Sequence, residues 1–281
     1  MVALTHLALQ CYPTRLDYVD RVFEYIADKI QLSTDSADLH SSDTVKQLML
    51  LLKAPIQSYD SALILNDLDH YATLLRLQPY GTRRSVAHAI IASLLSHETV
   101  IETVEDVQGI LGDLCSVMIR NQTDENVRAG FSGADDSLAE EQGLIARVIH
   151  LLKGPSPDEQ FLLLSTTRKI LIEGGGERMR YTFPPLAYAA LKLARDYFRL
   201  RDKQEEESTT EENEQKSLAL FRFLSQVVGV LSTKATEDGG SELALRLYLH
   251  CAQVADQCEF EQVAYDFFVQ VRLVWHWIIR N

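Results

Sequence analysis

The chain has 281 residues, 46% of them hydrophobic and 24% charged, with a formal net charge of −13 and an isoelectric point near 5.1. That composition is ordinary for a folded chain. The acidic balance argues against a nucleic-acid backbone as the main partner, which needs a basic face, and against direct adsorption to anionic lipid. Both arguments concern the whole surface and leave a local basic patch open.

The opening Met-Val-Ala-Leu-Thr-His-Leu has no basic n-region and no cleavage pattern. No uninterrupted apolar run reaches the ~18 residues of a membrane span. The expected location is therefore the cytosol. Cys11, Cys115, Cys251 and Cys258 form no Cys-x-x-Cys pair and read as small buried apolar residues in a reducing compartment.

Apolar residues recur with helical period along nearly the whole chain. The first clear set is Leu16, Val19, Val22, Phe23, Ile26, Ala27 and Ile30. The stretch 104–119 follows with Val104, Val107, Ile110, Leu111, Leu114, Cys115, Met118 and Ile119. Next come Leu138, Ile145, Val148, Ile149 and Leu152 in 138–152. Helical patterns then fill 218–231 and 243–268. No alternating strand and no Asn-Gly hairpin signal stands out.

Several residues predict helix ends. Ser137-Leu-Ala-Glu140 and Ser156-Pro-Asp-Glu159 fit the capping box, and Pro157 suits a first helical position. Gly174 reads as the stop of a helix over 158–173, with Pro184 and Pro185 opening the next one. Leu51-Leu52-Lys53-Ala54-Pro55 recurs as Leu151-Leu152-Lys153-Gly154-Pro155, each expected to close a helix with a proline stop. Four polar stretches punctuate the pattern, at 32–42, 121–136, 202–216 and 232–241. The third carries seven acids against two lysines, −5 of the −13, and reads as a solvated acidic loop, with an acidic docking peptide as the sharper reading.

The fold expected is all-α: an α-solenoid of HEAT-like helical hairpins of about 40 residues each, running as one segment over 1–281. A compact irregular bundle is the other arrangement compatible with the pattern.

Catalytic signatures are missing. Gly174-Gly-Gly-Glu177 follows a helix, precedes no Gly-Lys-Ser/Thr, and carries an acid where a phosphate cradle needs none. There is no Gly-x-Ser-x-Gly and no His-Glu-x-x-His. The eight histidines, at 6, 40, 70, 88, 97, 150, 250 and 276, are scattered without a second ligand three or four residues away. Adjacent acids such as Asp135-Asp136 and Glu140-Glu141 diverge on a helix and make no acid/base pair. No enzymatic activity, cofactor or metal is expected. What remains is surface, which points to a protein that holds other proteins.

The residues that carry a resemblance lie mainly in the middle of the chain. His150-Leu-Leu-Lys, Pro157-Asp-Glu-Gln-Phe-Leu-Leu-Leu, Thr167-Arg-Lys and Gly175-Gly-Glu-Arg-Met-Arg-Tyr-Thr-Phe-Pro-Pro-Leu resemble the C-terminal half of the retromer scaffold family, vacuolar protein sorting-associated protein 35. Leu9-Gln-Cys-Tyr-Pro-Thr-Arg-Leu, Leu243-Ala-Leu-Arg-Leu-Tyr-Leu and Val263-Ala-Tyr-Asp-Phe are similar to it as well, in order, to about residue 268.

The resemblance implies an α-solenoid scaffold for recycling cargo from endosomes. It implies a metallophosphoesterase-fold partner, vacuolar protein sorting-associated protein 29, which would carry any metal ligands. It also implies self-association through the far C-terminal region and only indirect membrane recruitment.

The family's N-terminal Pro-Arg-Leu-Tyr-Leu motif has no counterpart here, so the chain reads as a fragment. The end, 271–281, departs from the family pattern, and Trp275, Trp277, Ile278 and Ile279 are expected to form an uncovered apolar tip.

The candidate protein-binding residues are Arg178, Arg180, Tyr181, Phe183, Pro184 and Pro185, read as a loop between two helices. In one reading the arginines cap neighbouring carbonyls while Phe183 and Leu186 plug the core. In the other the arginines and Tyr181 contact an acidic partner surface. Other readings stay open: a helical adaptor that binds peptides in its groove, or a helical regulatory domain of an enzyme.

Overall fold

The computed structural model describes residues 1–32, 41–120, 134–203, 207–234 and 240–280. They are helical almost throughout, and the one β contact among them is an isolated parallel bridge between Ile101 and Leu152. The packing divides into two compact units. The first holds 1–100 and 105–122, and the second 101–104 and 123–281.

In the first unit α1 (Val2–Cys11) lies against α2 (Leu16–Leu32) and α3 (Ser42–Ser58). The apolar stripe of α2 buries Val19, Val22, Phe23, Ile26 and Ala27, as the period predicts. The Ser41 hydroxyl caps α3, accepting from the Thr44 N–H at 3.3 Å. A short 3₁₀ turn (Ala62–Asp67) leads to α4 (Tyr71–Arg76) and α5 (Tyr80–Ser96). Tyr71 is fully buried edge-on to Phe23, and its hydroxyl donates to the Leu52 carbonyl at 2.7 Å. That bond satisfies the one polar atom the ring takes into the core.

The pattern at 104–119 buries its predicted residues except Val104, which is half-buried. The backbone is not a continuous α-helix, however. Short turns α6 (Val104–Val107) and α7 (Ser116–Ile119) flank a π-helical segment, Gln108–Leu114, which closes with the Cys115 N–H donating to the Ile110 carbonyl. At Gly109 an added Cβ would lie 2.3 Å from Asn66 Oδ1, so the wide turn packs directly onto that amide. The amide in turn donates to Asp106 at 3.0 Å.

The second unit holds α8 (Ala134–Ile149), α9 (Pro157–Leu171), α10 (Gly176–Lys203), α11 (Glu207–Lys234), α12 (Gly240–Gln257) and α13 (Glu261–Arg280); from α9 onward each packs on its neighbour in sequence and on the next helix but one, while α8 packs on α10. Phe161 of α9 meets Phe223 of α11 at 5.8 Å, and Phe221 of α11 meets Phe267 of α13 at 6.3 Å. This alternation of hairpin contact and next-helix stacking is the HEAT-like arrangement. The fold class is therefore all-α, of the helical-hairpin solenoid type.

Several local expectations are corrected. Pro55 lies inside α3, which continues to Ser58, while 151–155 lies beyond the end of α8, so the two similar pentapeptides are not equivalent in structure. Ser137 sits within α8 rather than at its cap, because the helix already begins at Ala134. Apart from 204–206, which fall outside the described residues, the acidic stretch 202–216 is not a loop but the end of α10 and the start of α11.

Cys115, Cys251 and Cys258 are buried, but Cys11 is exposed. Burial pushes the Cys115 and Cys251 thiols up to about 12, which keeps them unreactive. At the end of the chain α13 exposes Leu273, Trp275 and Ile279. The side chains of Trp277 and Ile278 lie outside the described set.

Candidate protein-binding surface

The candidate stretch begins where α9 ends. The helix gives way to a 3₁₀ turn, Ile172–Gly174, and then to Gly175 with φ 77° and ψ 174°. Gly175, not Gly174, takes the backbone conformation that only glycine adopts freely. From Gly176 the chain is already helical, and α10 runs through both prolines to Lys203. The expected loop is thus the first turns of a long helix.

Two consecutive prolines remove the amide donors that the Arg180 and Tyr181 carbonyls would otherwise receive. Packing offsets this loss: Met179, Phe183, Leu186, Ala187 and Ala190 are all fully buried on one face.

This helical register sorts the six predicted residues. Phe183 is part of the core and cannot contact a partner in the folded protein. Arg178, Arg180, Tyr181, Pro184 and Pro185 are half-buried. Arg180 curls over its neighbour, with Nη2 donating to Tyr181 Oη at 2.6 Å and the guanidinium carbon 4.7 Å from the ring centroid. Arg178, Tyr181, Pro185 and Tyr188 follow at i, i+3, i+7 and i+10, which puts them on one stripe. Tyr188 is exposed and stands edge-on to His250 of α12, with centroids 5.7 Å apart.

Periodicity alone missed what lies beside this stripe. The connector from α8 to α9 is held flat by Ile101, whose N–H donates to the Leu151 carbonyl while its carbonyl accepts from the Lys153 N–H. Gln160 clasps the same connector: its Oε1 accepts from the Gly154 N–H at 2.6 Å and its Nε2 donates to the Leu152 carbonyl at 3.2 Å. An added Cβ at Gly154 would lie 2.4 Å from the Gln160 backbone nitrogen, so only glycine fits. Ser156 caps α9 with Pro157 at the first position, as predicted. Its hydroxyl accepts from the Glu159 N–H and donates to Glu159 Oε2 at 2.7 Å. Between this connector and α10 lies a groove of about 510 Å³, with Lys153, Pro155, Tyr188 and Lys192 among its lining residues. The Gly154-Pro-Ser-Pro run was the available signal for such a bend.

Among the described residues no three His, Cys, Asp or Glu side chains gather where they could hold a metal ion. No helix is long and apolar enough to cross a membrane, among the residues described.

Paired helices stacked in this way, with a basic and aromatic helix face beside a connector groove, define a HEAT-like helical-repeat protein. The chain belongs to the family of vacuolar protein sorting-associated protein 35, whose family model matches residues 1–279. It is similar to vacuolar protein sorting-associated protein 35B of Arabidopsis thaliana, with 31% identity, 98% of this chain and 33% of the relative covered. To 35A of the same plant it is 30% identical, with 97% and 33% covered. To vacuolar protein sorting-associated protein 35 of Dictyostelium discoideum it is 26% identical, with 92% and 32% covered. The chain spans about a third of the length of these relatives.

Proposed function

We propose that this chain is a non-enzymatic scaffold segment of a retromer-type coat and binds a metallophosphoesterase-fold subunit, vacuolar protein sorting-associated protein 29. The observation that carries this reading is the family match, which runs almost from end to end of the chain. In this role the protein is cytoplasmic and reaches endosomal membranes only through other proteins, where it supports cargo recycling. Self-association through the C-terminal region belongs to the same reading.

The partner-facing surface proposed is the start of α10, with Arg178, Tyr181 and Pro185 on one stripe and Arg180 and Pro184 beside it. Arg and Tyr are suited to interface hot spots because each adds contact area and a hydrogen-bond donor. Phe183 supports that surface from beneath as a core residue.

Isothermal titration of this chain against the phosphoesterase-fold subunit tests the reading. Saturable binding that weakens at least about tenfold in the Arg178→Glu/Arg180→Glu variant supports it. Absence of binding by the folded protein sinks the assignment of that partner to these residues. It would favour a helical adaptor for peptides instead.

A further inference from the structure

We propose that the exposed face of α13 is a self-pairing surface, on which two copies of this chain dock as an antiparallel helix pair. Glu261, Tyr265, Phe268, Arg272, Trp275 and Ile279 follow one another at alternating steps of four and three residues. That is the 3.5-residue repeat of a helix–helix seam, here about 27 Å long. All of these positions are exposed, and the apolar ones range from 49% at Phe268 to 67% at Ile279. The side of α13 that packs on α12 is a different one, with Phe267 buried and Val263, Val271 and Val274 half-buried. The seam is therefore a contiguous apolar face that the fold of one copy does not use.

Charge indicates the occupant. The first half of α13, 261–270, carries Glu261 and Asp266 and no base. The second half, 271–280, carries Arg272, His276 and Arg280 and no acid. Laid antiparallel, the acidic half of each copy faces the basic half of the other. In the register that overlaps the whole seam, Tyr265 meets Trp275 of the second copy, Phe268 meets Arg272, and Glu261 meets Ile279. The two-fold axis repeats each contact, so the pair gains aromatic contacts and cation–π contacts twice over. A parallel pair would set Arg272 against Arg272 and like halves together. An uncharged apolar surface would cover Arg272 without a compensating group. The inference rests on α13 alone and not on the retromer-type reading, so it and binding of the phosphoesterase-fold subunit can fail separately.

The test is sedimentation velocity of the 281-residue protein over about a hundredfold range of concentration. The expected result is a reversible shift from 31.8 kDa towards twice that mass, with no larger species, since a two-fold contact closes on itself. Phe268→Ser/Trp275→Ser alters exposed positions only, and should raise the dimer dissociation constant at least about tenfold without lowering the thermal melt. Disulfide trapping reads the orientation, in a Cys11→Ser background that removes the exposed native thiol. Tyr265→Cys mixed with Trp275→Cys should give a cross-linked heterodimer, and Tyr265→Cys alone should stay uncross-linked. A chain that is monomeric throughout, or a dimer indifferent to Phe268→Ser/Trp275→Ser, would overturn the proposal. So would efficient cross-linking of Tyr265→Cys alone, which belongs to a parallel pair. A ladder of higher masses that disappears in Leu4→Ser/Leu7→Ser would overturn it as well, because α13 would then dock in the apolar α1–α2 groove of the next copy.

Discussion

The Tyr197 hydroxyl donates to Asp158 Oδ1 at 2.7 Å, and this bond ties the C-terminal part of α10 to the first turn of α9. Lys216 of α11 donates to the other oxygen of the same carboxylate at 2.9 Å and to Glu212 at 2.7 Å. Three helices therefore meet at one acid, which also faces the positive end of α9. The hydrogen bond from Lys216, then that from Tyr197, holds Asp158 below the usual carboxylate range. Burial first, and the bond to Asp158 second, push the Tyr197 phenol well above its ordinary value.

Asp158→Asn should cost roughly 1–2 kcal/mol at neutral pH, the order of a charge-assisted hydrogen bond lost at a half-exposed site. Because the folded pKa of Asp158 is depressed, its contribution is present above the unfolded carboxylate value of about 4 and is lost as pH falls through the folded value. Urea melts of parent and variant at neutral pH and below about pH 4 should therefore diverge in the first case and converge in the second. A gap that persists unchanged in acid would show that the carboxylate's charge is not what α10 and α11 use.

A histidine makes the opposite pH signature in the first unit. Asp20 accepts from the His70 N–H at 2.9 Å and pairs with His70 Nδ1 at 2.7 Å. The bond to Asp20 raises the His70 pKa above its ordinary value of 6.5. A raised folded pKa contributes stability that is full below the unfolded value and is lost as pH rises through the folded one. His70→Asn should therefore narrow the stability difference between slightly acid and alkaline buffer. The His70 imidazole resonance of the parent should titrate above about 6.5, and Asp20→Asn should bring that midpoint down. A midpoint unmoved by Asp20→Asn would refute the pairing.

How much of this was legible beforehand differs by element. The stripe of α2 and the buried set at 107–119 were readable because period alone decides which side faces a core, whatever the exact hydrogen-bond ladder. The π-helical turn at 108–114 was not readable, since apolar period does not report the hydrogen-bond ladder or the close packing of Asn66, from another element, on Gly109. Pro55, Pro184 and Pro185 looked like helix boundaries because each removes a donor. Burial of Leu51, Leu52 and Ile56 around the first, and of Met179, Phe183 and Leu186 around the others, outweighs that local cost. The acidic stretch looked like a loop for its charge, yet Lys216 and Glu212 pair one helical turn apart and Lys216 anchors to Asp158. On the candidate surface, composition singled out the arginines and Tyr181. It could not separate Phe183 from them or find the adjacent groove, because both follow from a helix register that the double proline disguised.

Glu98 offers a stabilising change. It has φ 48°, just past the end of α5, where the Thr99 N–H donates to the Leu94 carbonyl at 2.9 Å in a helix-ending pattern that favours glycine. A side chain in the left-handed region costs roughly 1–2 kcal/mol. Part of this is returned by the greater freedom of glycine in the unfolded chain. Glu98→Gly should therefore raise stability by about 0.5–1 kcal/mol, or a few degrees in Tm at most. A lower Tm would mean that the strain is absent or that the Glu98 side chain contributes more than the backbone loses.

The last prediction separates core from surface within the six candidate residues. Phe183 is fully buried, and Phe183→Ala should cost about 3–5 kcal/mol because the cavity sits between α10 and its packed neighbours. Any loss of partner binding in that variant should follow the fraction unfolded. Arg178→Glu/Arg180→Glu leaves the buried face of α10 intact and breaks the contact of Arg180 with the Tyr181 hydroxyl and ring, worth about 1 kcal/mol. Its thermal melt should stay close to that of the parent, while affinity for an acidic partner surface falls at least about tenfold per folded molecule. The reverse pattern, a collapsed melt with unchanged affinity, would assign the arginines to holding the proline-containing turns of α10 in place. Binding would then have to come from a different helix face.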